Sequence, residues 1–242
     1  MDISAIIAMK GREKIAVLTA YEFAIAQALD PYVDILLVGD SMGMVVYGEE
    51  NTRSVTLLMM QEHTQAVAKA ASHAMVVADL PYKSDVVPEA AVSHAKKLVM
   101  AGARAVKPEG KPEIVYALVS EDIAVMGHVG LLPQTAIKFE KKGKTDEEAN
   151  EILSMALAIE KAGAFSVVLE CIPNEVARVI TAKLSIPTIG IGAGKHCDGQ
   201  VLVSHDFLGL YAKAPSFAKK YCDLRSIIGD AAKRYRDEVK GA

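Results

Sequence analysis

The chain has 242 residues, of which 51% are hydrophobic and 24% are charged, so it can bury a large core as one domain. Its formal net charge of -3 excludes the strongly basic surface that binds nucleic acid or anionic membranes. The sequence has no signal-peptide start and no apolar run of about 18 to 20 residues. Its three cysteines are scattered, which favours a reducing compartment. We therefore expect a single cytoplasmic domain over residues 1–242.

Apolar runs alternate with helical patterns along the chain. The predicted strands are residues 14–18, 35–38, 75–78, 104–107, 123–127, 165–169, 187–191 and 207–210. Pro88 suits the first turn of the helix that Gly102 ends, and Thr145 with Glu148 forms a capping-box pattern at the start of another helix. A polar helix is predicted from about Phe217 to Val239. The helices therefore separate successive strands, as a parallel sheet requires.

The order of these elements predicts an α/β fold. Eight strands alternating with helices over this length favour a closed (β/α)8 TIM barrel over an open doubly wound sheet, which remains the alternative. Residues 100–109 and 161–170 share the pattern Ala-Gly-Ala, a short strand and then a glutamate, and in both the glutamate is the seventh residue after the glycine. Two helix-turn-strand units of the same geometry would produce this repeat.

Carboxylates follow three neighbouring strands of the predicted barrel. Asp40 follows the strand 35–38, Asp79 follows the strand 75–78, and Glu109 lies two residues beyond the strand 104–107. Because barrel active sites are assembled at the C-terminal ends of strands, we expect these groups to share one site. Hard oxygen ligands without histidine or cysteine favour Mg2+ over zinc. The alternative is that each carboxylate is a helix cap or a loop residue.

Three further ionisable residues occupy similar positions. Lys107 is a candidate cation for a substrate carboxylate or an enolate oxygen, or else an ion-pair partner of Glu109. His128 lies in a predicted tight turn, where it would bind a substrate oxygen or serve as a structural histidine. Glu170 has apolar neighbours and is a candidate general base, or a cap of the next helix. Together with a metal ion, these groups are suited to proton abstraction beside a carbonyl and to carbon–carbon bond chemistry.

Five motifs, in the same order, resemble the ketopantoate hydroxymethyltransferase family. They are Leu-Val-Gly-Asp-Ser-Met-Gly-Met at 37–44, Ala-Asp-Leu-Pro at 78–81, Gly-His-Val-Gly-Leu at 127–131, Leu-Glu-Cys-Ile-Pro at 169–173, and Ile-Gly-Ile-Gly-Ala-Gly at 189–194 with Asp-Gly-Gln at 198–200. The resemblance extends from Thr19 to about Tyr221. Each motif alone is weak, whereas five in register are highly specific.

The resemblance implies a particular reaction. The hydroxymethyl group of 5,10-methylenetetrahydrofolate would be transferred to 3-methyl-2-oxobutanoate, giving 2-dehydropantoate in pantothenate biosynthesis, the route to coenzyme A. The family is similar in fold to the phosphoenolpyruvate/pyruvate type of TIM barrel. The resemblance further implies bound Mg2+ and a large homo-oligomer.

The resemblance also implies the roles of individual residues. Asp40 and Asp79 match the metal ligands, and Glu109 matches the acid that reaches the metal region through water. The substrate-binding residues that it implies are Asp40, Ser41, Asp79, Lys107 and His128. Glu170 matches the proposed catalytic base.

Two alternatives fit the same residues, namely a carbon–carbon lyase or mutase of the related barrels and a keto-acid-binding barrel with impaired turnover. A lyase of that group would be expected to carry an additional acid, often a cysteine in a lysine-rich loop, which we do not find. The chain departs from the family pattern at Glu22, where aspartate is usual, and at Pro108, where an apolar residue is usual. Residues 136–144 replace a longer glycine-rich loop of the family.

Overall fold

The computed structural model describes residues 1–211 and 215–241, which form two compact units, one spanning Met1–Val201 and one beginning at Leu202. The strands of the described residues are β1 Ile15–Thr19, β2 Ile35–Val38, β3 Met75–Asp79, β4 Ala105–Lys107, β5 Met126–Gly130, β6 Ser166–Glu170, β7 Thr188–Ile191 and β8 Gly199–Leu202. The helices are α1 Ile3–Met9, α2 Phe23–Leu29, α3 Met42–Val45, α4 Leu57–Ala70, α5 Pro88–Met100, α6 Pro112–Val119, α7 Asp146–Lys161, α8 Asn174–Lys183, α9 Ser204–Leu208 and α10 Leu224–Lys240. The prediction of a single domain over residues 1–242 stays a prediction.

The eight strands form one parallel sheet with the order β4-β3-β2-β1-β8-β7-β6-β5. The two outer strands approach each other where the Val106 amide donates to the Ala124 carbonyl at 3.0 Å. The sheet therefore nearly closes, which confirms the predicted (β/α)8 TIM barrel and excludes the open sheet. No helix of the described residues combines the length and the apolarity that a membrane crossing demands.

Side chains alternate between two buried layers along the strands. Ile35 and Leu37 of β2 belong to an inner cluster, whereas Leu36 and Val38 pack in an outer cluster with residues of the surrounding helices. The fully buried Ile6 of α1 joins the inner cluster. Burial of one such side chain contributes roughly 2 kcal/mol to stability. Both faces of β2 are thus apolar, which explains why this strand appears in the sequence as a continuous apolar run.

The prediction of the last strand at residues 207–210 was wrong. α9 covers the first two residues of that segment, and β8 lies earlier, at Gly199–Leu202. Glycine and glutamine disfavour strands, so the start of β8 has no local strand signal. A Cβ atom on Gly199 would lie 2.5 Å from the Ile15 carbonyl oxygen, which shows how closely the β1 backbone approaches. β8 therefore forms through tertiary pairing. The predicted start of the last helix was also displaced, because α10 begins at Leu224 and not near Phe217.

The predicted position of β5 was also displaced. The strand was expected at 123–127 and lies at Met126–Gly130, because its backbone pairs in register with β6 as far as Gly130 and Glu170. His128 consequently lies inside a strand and not in a tight turn. The two glycines that suggested a turn are instead strand residues flanking His128.

The start of α7 follows the predicted capping pattern in part. The Thr145 hydroxyl accepts a hydrogen bond from the Glu148 amide at 3.2 Å, as expected. The Glu148 carboxylate, however, accepts from the amides of Gly143 and Lys144, both at 2.9 Å. Glu148 therefore fixes the end of the 136–144 loop to the first turn of α7.

A buried carboxylate joins the turn before β2 to the turn before β3. Asp30 accepts hydrogen bonds from the Ser72 amide and hydroxyl and from the amides of His73 and Ala74, at 2.8 to 3.1 Å. Burial raises the pKa of Asp30, but the hydrogen bonds from Ala74, Ser72 and His73 outweigh burial and hold that pKa below its ordinary value. The charged carboxylate therefore stabilises the packing of two neighbouring strands.

We expect Asp30→Asn to lower the free energy of unfolding by about 2 kcal/mol at pH 7, measured by urea denaturation, because hydrogen bonds to a charged acceptor are lost. Because the pKa of Asp30 is lower in the folded than in the unfolded state, its charge stabilises the folded protein at pH values above the unfolded-state pKa. This contribution is lost as the pH falls through the folded-state pKa. The difference in the free energy of unfolding between the wild type and Asp30→Asn should therefore become smaller at acidic pH.

A matched control for this variant is Glu121→Gln, which breaks the exposed ion pair that Glu121 forms with Lys96 at 2.7 Å. Exposed ion pairs contribute little, so this variant should unfold almost like the wild type. Equal stability of Asp30→Asn and the control would refute the role of the Asp30 carboxylate.

Candidate active site

The predicted site residues continue the inner face of the barrel strands. Four of them stand two positions after an apolar residue of the inner cluster; the pairs are Val77 and Asp79, Ala105 and Lys107, Met126 and His128, and Val168 and Glu170. Side chains two positions apart on a strand share a face. An apolar layer therefore lies beneath a layer of ionisable groups at the C-terminal ends of the strands.

An ion pair between neighbouring strands holds the lysine. Lys107 is opposite Asp79 in the parallel register of β3 and β4, and Lys107 Nζ lies 3.0 Å from Asp79 Oδ1. Burial lowers the pKa of Lys107, but the charges of Asp79, Asp40 and Glu109 outweigh burial and raise that pKa. Lys107 is therefore a cation, and its ion-pair partner is Asp79 and not Glu109.

A glutamine that the sequence analysis missed connects two of the predicted carboxylates. Gln134 Nε2 donates to Asp40 Oδ2 and to the Leu80 carbonyl, both at 2.8 Å, and the Gln134 amide donates to Glu109 Oε2 at 3.1 Å. The side chain is buried. Its only sequence signal was its place three residues after the Gly-His-Val-Gly-Leu motif, and a neutral side chain in a loop does not stand out.

Three carboxyl groups, those of Asp40, Asp79 and Glu109, share this part of the site with Lys107. Burial, and after it the charge of Asp79, raises the pKa of Asp40; burial and the charge of Asp40 raise the pKa of Glu109. Asp40 is linked to Asp79 directly, because its amide donates to Asp79 Oδ2 at 3.0 Å. A divalent cation between these groups would relieve the repulsion.

The carboxylates do not form a site with three direct protein ligands. Across residues 1–211 and 215–241, no three side chains of His, Cys, Asp or Glu converge as a metal-binding group. Mg2+ is commonly held by one or two carboxylates, with water and substrate oxygens completing its coordination. Asp40, Asp79 and Glu109 offer the carboxylate oxygens that this arrangement uses, and the role of each towards a metal ion stays a prediction.

A histidine and a glutamate form the second half of the site. His128 Nε2 lies 3.1 Å from Glu170 Oε2, and His128 Nδ1 lies 3.9 Å from Glu109 Oε1. Neither ring nitrogen has an aligned hydrogen-bond partner among the described residues. Burial and the charge of Lys107 lower the pKa of His128 in spite of the opposing effect of Glu170. His128 is therefore neutral near pH 7, and its ring nitrogens can bind a ligand.

The backbone on both sides fixes the position of Glu170. Cys171 has a φ of +48°, an uncommon conformation for a residue other than glycine, and it turns the chain directly after β6. Gly130 lies opposite, where a Cβ atom would be 2.3 Å from the Glu170 carbonyl oxygen. The alternative role of Glu170 as a helix cap was wrong, because α8 begins after Pro173 without a side-chain cap.

Ser41 completes the polar group around Asp40. Its hydroxyl lies 2.8 Å from the Tyr21 hydroxyl, and Tyr21 is buried. A Cβ atom on Gly39 would lie 2.8 Å from Ser41 Oγ, so the chain approaches this hydroxyl closely. The structure thus brings all seven predicted site positions near the ends of β2 to β6, although the roles assigned to them stay predictions.

A cavity of about 570 Å³ lies at the end of β5, beginning at Gly130, which is paired with Glu170 in the register of β5 and β6. It is lined by residues between Gly130 and Lys142, with Ile137 and Lys138 among them. Arg53 donates to the Ala136 carbonyl, and the Lys142 amide donates to the Cys171 carbonyl, both at 2.9 Å. The 136–144 loop, although short, is therefore attached to the body of the barrel and forms a wall of the cavity.

Solved structures of other proteins have a similar fold. A phosphoenolpyruvate phosphomutase from Streptomyces platensis subsp. rosaceus superposes with a TM-score of 0.69 at 14% identity, over 100% of this chain and 88% of that chain. A 2,3-dimethylmalate lyase of the PEP mutase/isocitrate lyase superfamily has a TM-score of 0.63 at 16% identity, over 99% of this chain and 88% of the lyase chain. At such low identity these similarities establish the fold alone, namely the predicted type of TIM barrel.

Sequence relatives are much closer. Proteins named 3-methyl-2-oxobutanoate hydroxymethyltransferase from Thermococcus kodakarensis and Pyrococcus furiosus are 53% and 51% identical, each over 97% of this chain and 86% of the relative. Residues 1–242 match the profile of a family described as ketopantoate hydroxymethyltransferase. The chain therefore is a transferase and belongs to the ketopantoate hydroxymethyltransferase family.

Proposed function

We propose that this enzyme transfers a hydroxymethyl group from 5,10-methylenetetrahydrofolate to 3-methyl-2-oxobutanoate, giving 2-dehydropantoate, in a Mg2+-dependent reaction. The observation that carries the proposal is the placement of the buried cation Lys107 and the carboxylate Glu170 in one layer of side chains. An enolate-forming reaction requires such a pair, because one group accepts a proton while the other stabilises the new negative charge. A cytoplasmic, large homo-oligomer is part of the same proposal.

The buried carboxylates support the metal part of the proposal. Asp40 and Asp79 would hold Mg2+, and Glu109 would act on it through water, since three carboxyl groups share this part of the site with Lys107 and oxygen ligands suit Mg2+. When bound, Mg2+ would supply Lewis-acid polarisation of the substrate's C2 carbonyl. The remaining steps fall to the side chains.

The side chains have complementary tasks with the keto acid. Lys107 would pair with the anionic oxygens, and the Ser41 hydroxyl would hydrogen-bond to the keto acid. Glu170 would accept the proton as the C3–H bond breaks, and the bonding electrons would form the enolate across C2 and C3. His128, neutral and 3.1 Å from Glu170, would hold that carboxylate and contact a substrate oxygen. The enolate C3 would then bond to the methylene carbon of the donor as the two carbon–nitrogen bonds of that carbon break. Water would supply the hydroxyl oxygen, and tetrahydrofolate would leave with its two nitrogens protonated.

The donor requires space next to the reacting carbon. The cavity of about 570 Å³ lies at Gly130, the residue that pairs with Glu170 in the register of β5 and β6. Its volume falls within the range of roughly 300 to 1,000 Å³ typical of ligand sites. We therefore place the donor there, with its carboxylates towards Lys138 and Lys142.

One experiment separates this function from its alternatives. Purified enzyme with Mg2+ and keto acid should form 2-dehydropantoate only when the folate donor is present. Cleavage or rearrangement of a related keto acid without donor would support a lyase or mutase. Saturable keto-acid binding without product would support a barrel that only binds its ligand.

Loss of the Glu170 base should reduce proton abstraction. The wild type with Mg2+ is expected to exchange the C3 hydrogen of 3-methyl-2-oxobutanoate for deuterium, followed by proton NMR in D2O. Glu170→Gln keeps the shape without the base, so exchange should fall roughly 10²- to 10⁴-fold while keto-acid binding changes little.

The control for the base is Glu175→Gln, on α8, where the exposed carboxylate of Glu175 pairs with Arg178 at 2.7 Å. Exchange should stay at the wild-type rate in this control. If Glu170→Gln also exchanged at that rate, the base would lie elsewhere, with His128 the next candidate.

Removal of the Lys107 charge should affect both binding and turnover. In Lys107→Met, the KM for the keto acid should rise and kcat should fall roughly 10²- to 10³-fold, because one cation serves the bound substrate and the enolate. The matched control is Lys111→Met, which breaks the ion pair between Lys111 and Asp85 at 2.7 Å. An unchanged KM in folded Lys107→Met would leave Lys107 as a purely structural partner of Asp79.

Charge reversal in the loop tests the place of the donor. Lys138 lines the cavity and Lys141 does not, although both are exposed lysines of the same loop. Lys138→Glu should raise the KM for the folate donor roughly fivefold, as expected for the loss of one exposed charge pair, without changing C3 exchange. Lys141→Glu is the control, and an equal effect of both variants would argue against binding of the donor in this cavity.

A further inference from the structure

Gln134 is a buried neutral side chain surrounded by charged groups. It is 5% exposed, and burial of an amide is unfavourable unless its donors are paired. The two hydrogens of Nε2 are both used, one by Asp40 Oδ2 and one by the Leu80 carbonyl, each at 2.8 Å. The side-chain nitrogen is therefore held in a defined direction by one fixed backbone acceptor and one carboxylate.

These hydrogen bonds connect the ends of four strands. Asp40 follows β2, Leu80 follows β3, Glu109 follows β4, and Gln134 itself follows β5. The main-chain amide of Gln134 donates to Glu109 Oε2 at 3.1 Å, so this one residue contacts two carboxylates through separate donors. A carboxylate in its place would add a further acidic group beside Asp40, Asp79 and Glu109.

We propose that Gln134 is a positioning residue that orients Asp40 for a divalent cation. A hydrogen bond that holds Asp40 Oδ2 also fixes the direction of Oδ1, the oxygen that is left for the metal ion. The separate bond from the main chain to Glu109 keeps that carboxylate from approaching Asp40 in the absence of a cation. The inference rests on the proposed function for its assignment of Asp40 to Mg2+.

The test is the affinity for Mg2+ itself, measured by titration calorimetry on purified enzyme without donor. Gln134→Met preserves the size of the side chain and removes the donor to Asp40, while the main-chain bond to Glu109 is kept. A hydrogen bond to a charged group is strong, so the Kd for Mg2+ should rise roughly ten- to hundredfold. Gln134→Asn, whose amide is one methylene shorter, should shift the Kd in the same direction.

The control is Gln200→Met, since Gln200 Nε2 also donates to a backbone carbonyl, that of Gly194 at 2.9 Å, and no hydrogen bond joins it to a carboxylate among the residues that the structure describes. Its Kd for Mg2+ should equal that of the wild type. Urea denaturation of each variant identifies the folded fraction, to which the Kd refers. A purely structural role of Gln134 would lower stability and leave the Kd of the folded protein unchanged.

Assay of 2-dehydropantoate formation by the wild type separates failure of the inference from failure of the proposed function. Turnover by the wild type together with an unchanged Kd in both Gln134 variants would overturn the positioning role alone. A raised Kd in the variants without turnover by the wild type would support the positioning role and overturn the proposed function. Absence of Mg2+ binding to the wild type would overturn the positioning role and the metal part of the proposed function.

Discussion

The ion pair between Lys107 and Asp79 is the interaction on which the site depends. Both groups are nearly excluded from water, and removal of one would leave an unpaired buried charge, which commonly costs about 3 to 5 kcal/mol. The parallel register of β3 and β4 places the two residues opposite each other, so the pair also sets the distance between two walls of the site. Asp79 further binds the Asp40 amide, which extends the same constraint to β2.

The barrel can hold this group of charges because its strands alternate. The inner cluster beneath the site is apolar, and each strand then delivers a polar side chain two residues further on. The side chains that stabilise the barrel and those that are candidates for chemistry therefore occupy different levels along the same strands and not different domains. The phosphomutase and lyase structures have the same barrel with about 15% identity, as expected if the differences in chemistry reside at the strand ends and loops.

The sequence was sufficient for the features that depend on local pattern. The acids after β2, β3 and β4 follow continuous apolar runs, so their shared edge could be predicted from a parallel arrangement alone. β8 could not, because Gly199 has no strand preference and pairs through the close approach of Ile15. Gln134 was missed for a different reason, since its role depends on two carboxylates distant in sequence. Local periodicity thus predicts where a charge lies, whereas the contacts of a neutral loop residue depend on the fold.

Exposure divides the ionisable groups into two kinds. The side chains of Lys107, Asp79 and Glu109 are 5 to 7% exposed, whereas the side chain of Glu170 is 18% exposed. Groups that only supply an electric field act most strongly when they are fixed and dry. A base must also pass its proton on, which requires contact with solvent or with a second substrate. The gradient from buried Lys107 to partly open Glu170 is therefore compatible with the proposed function, in which an enolate would be stabilised deep in the barrel and a proton exchanged at its rim.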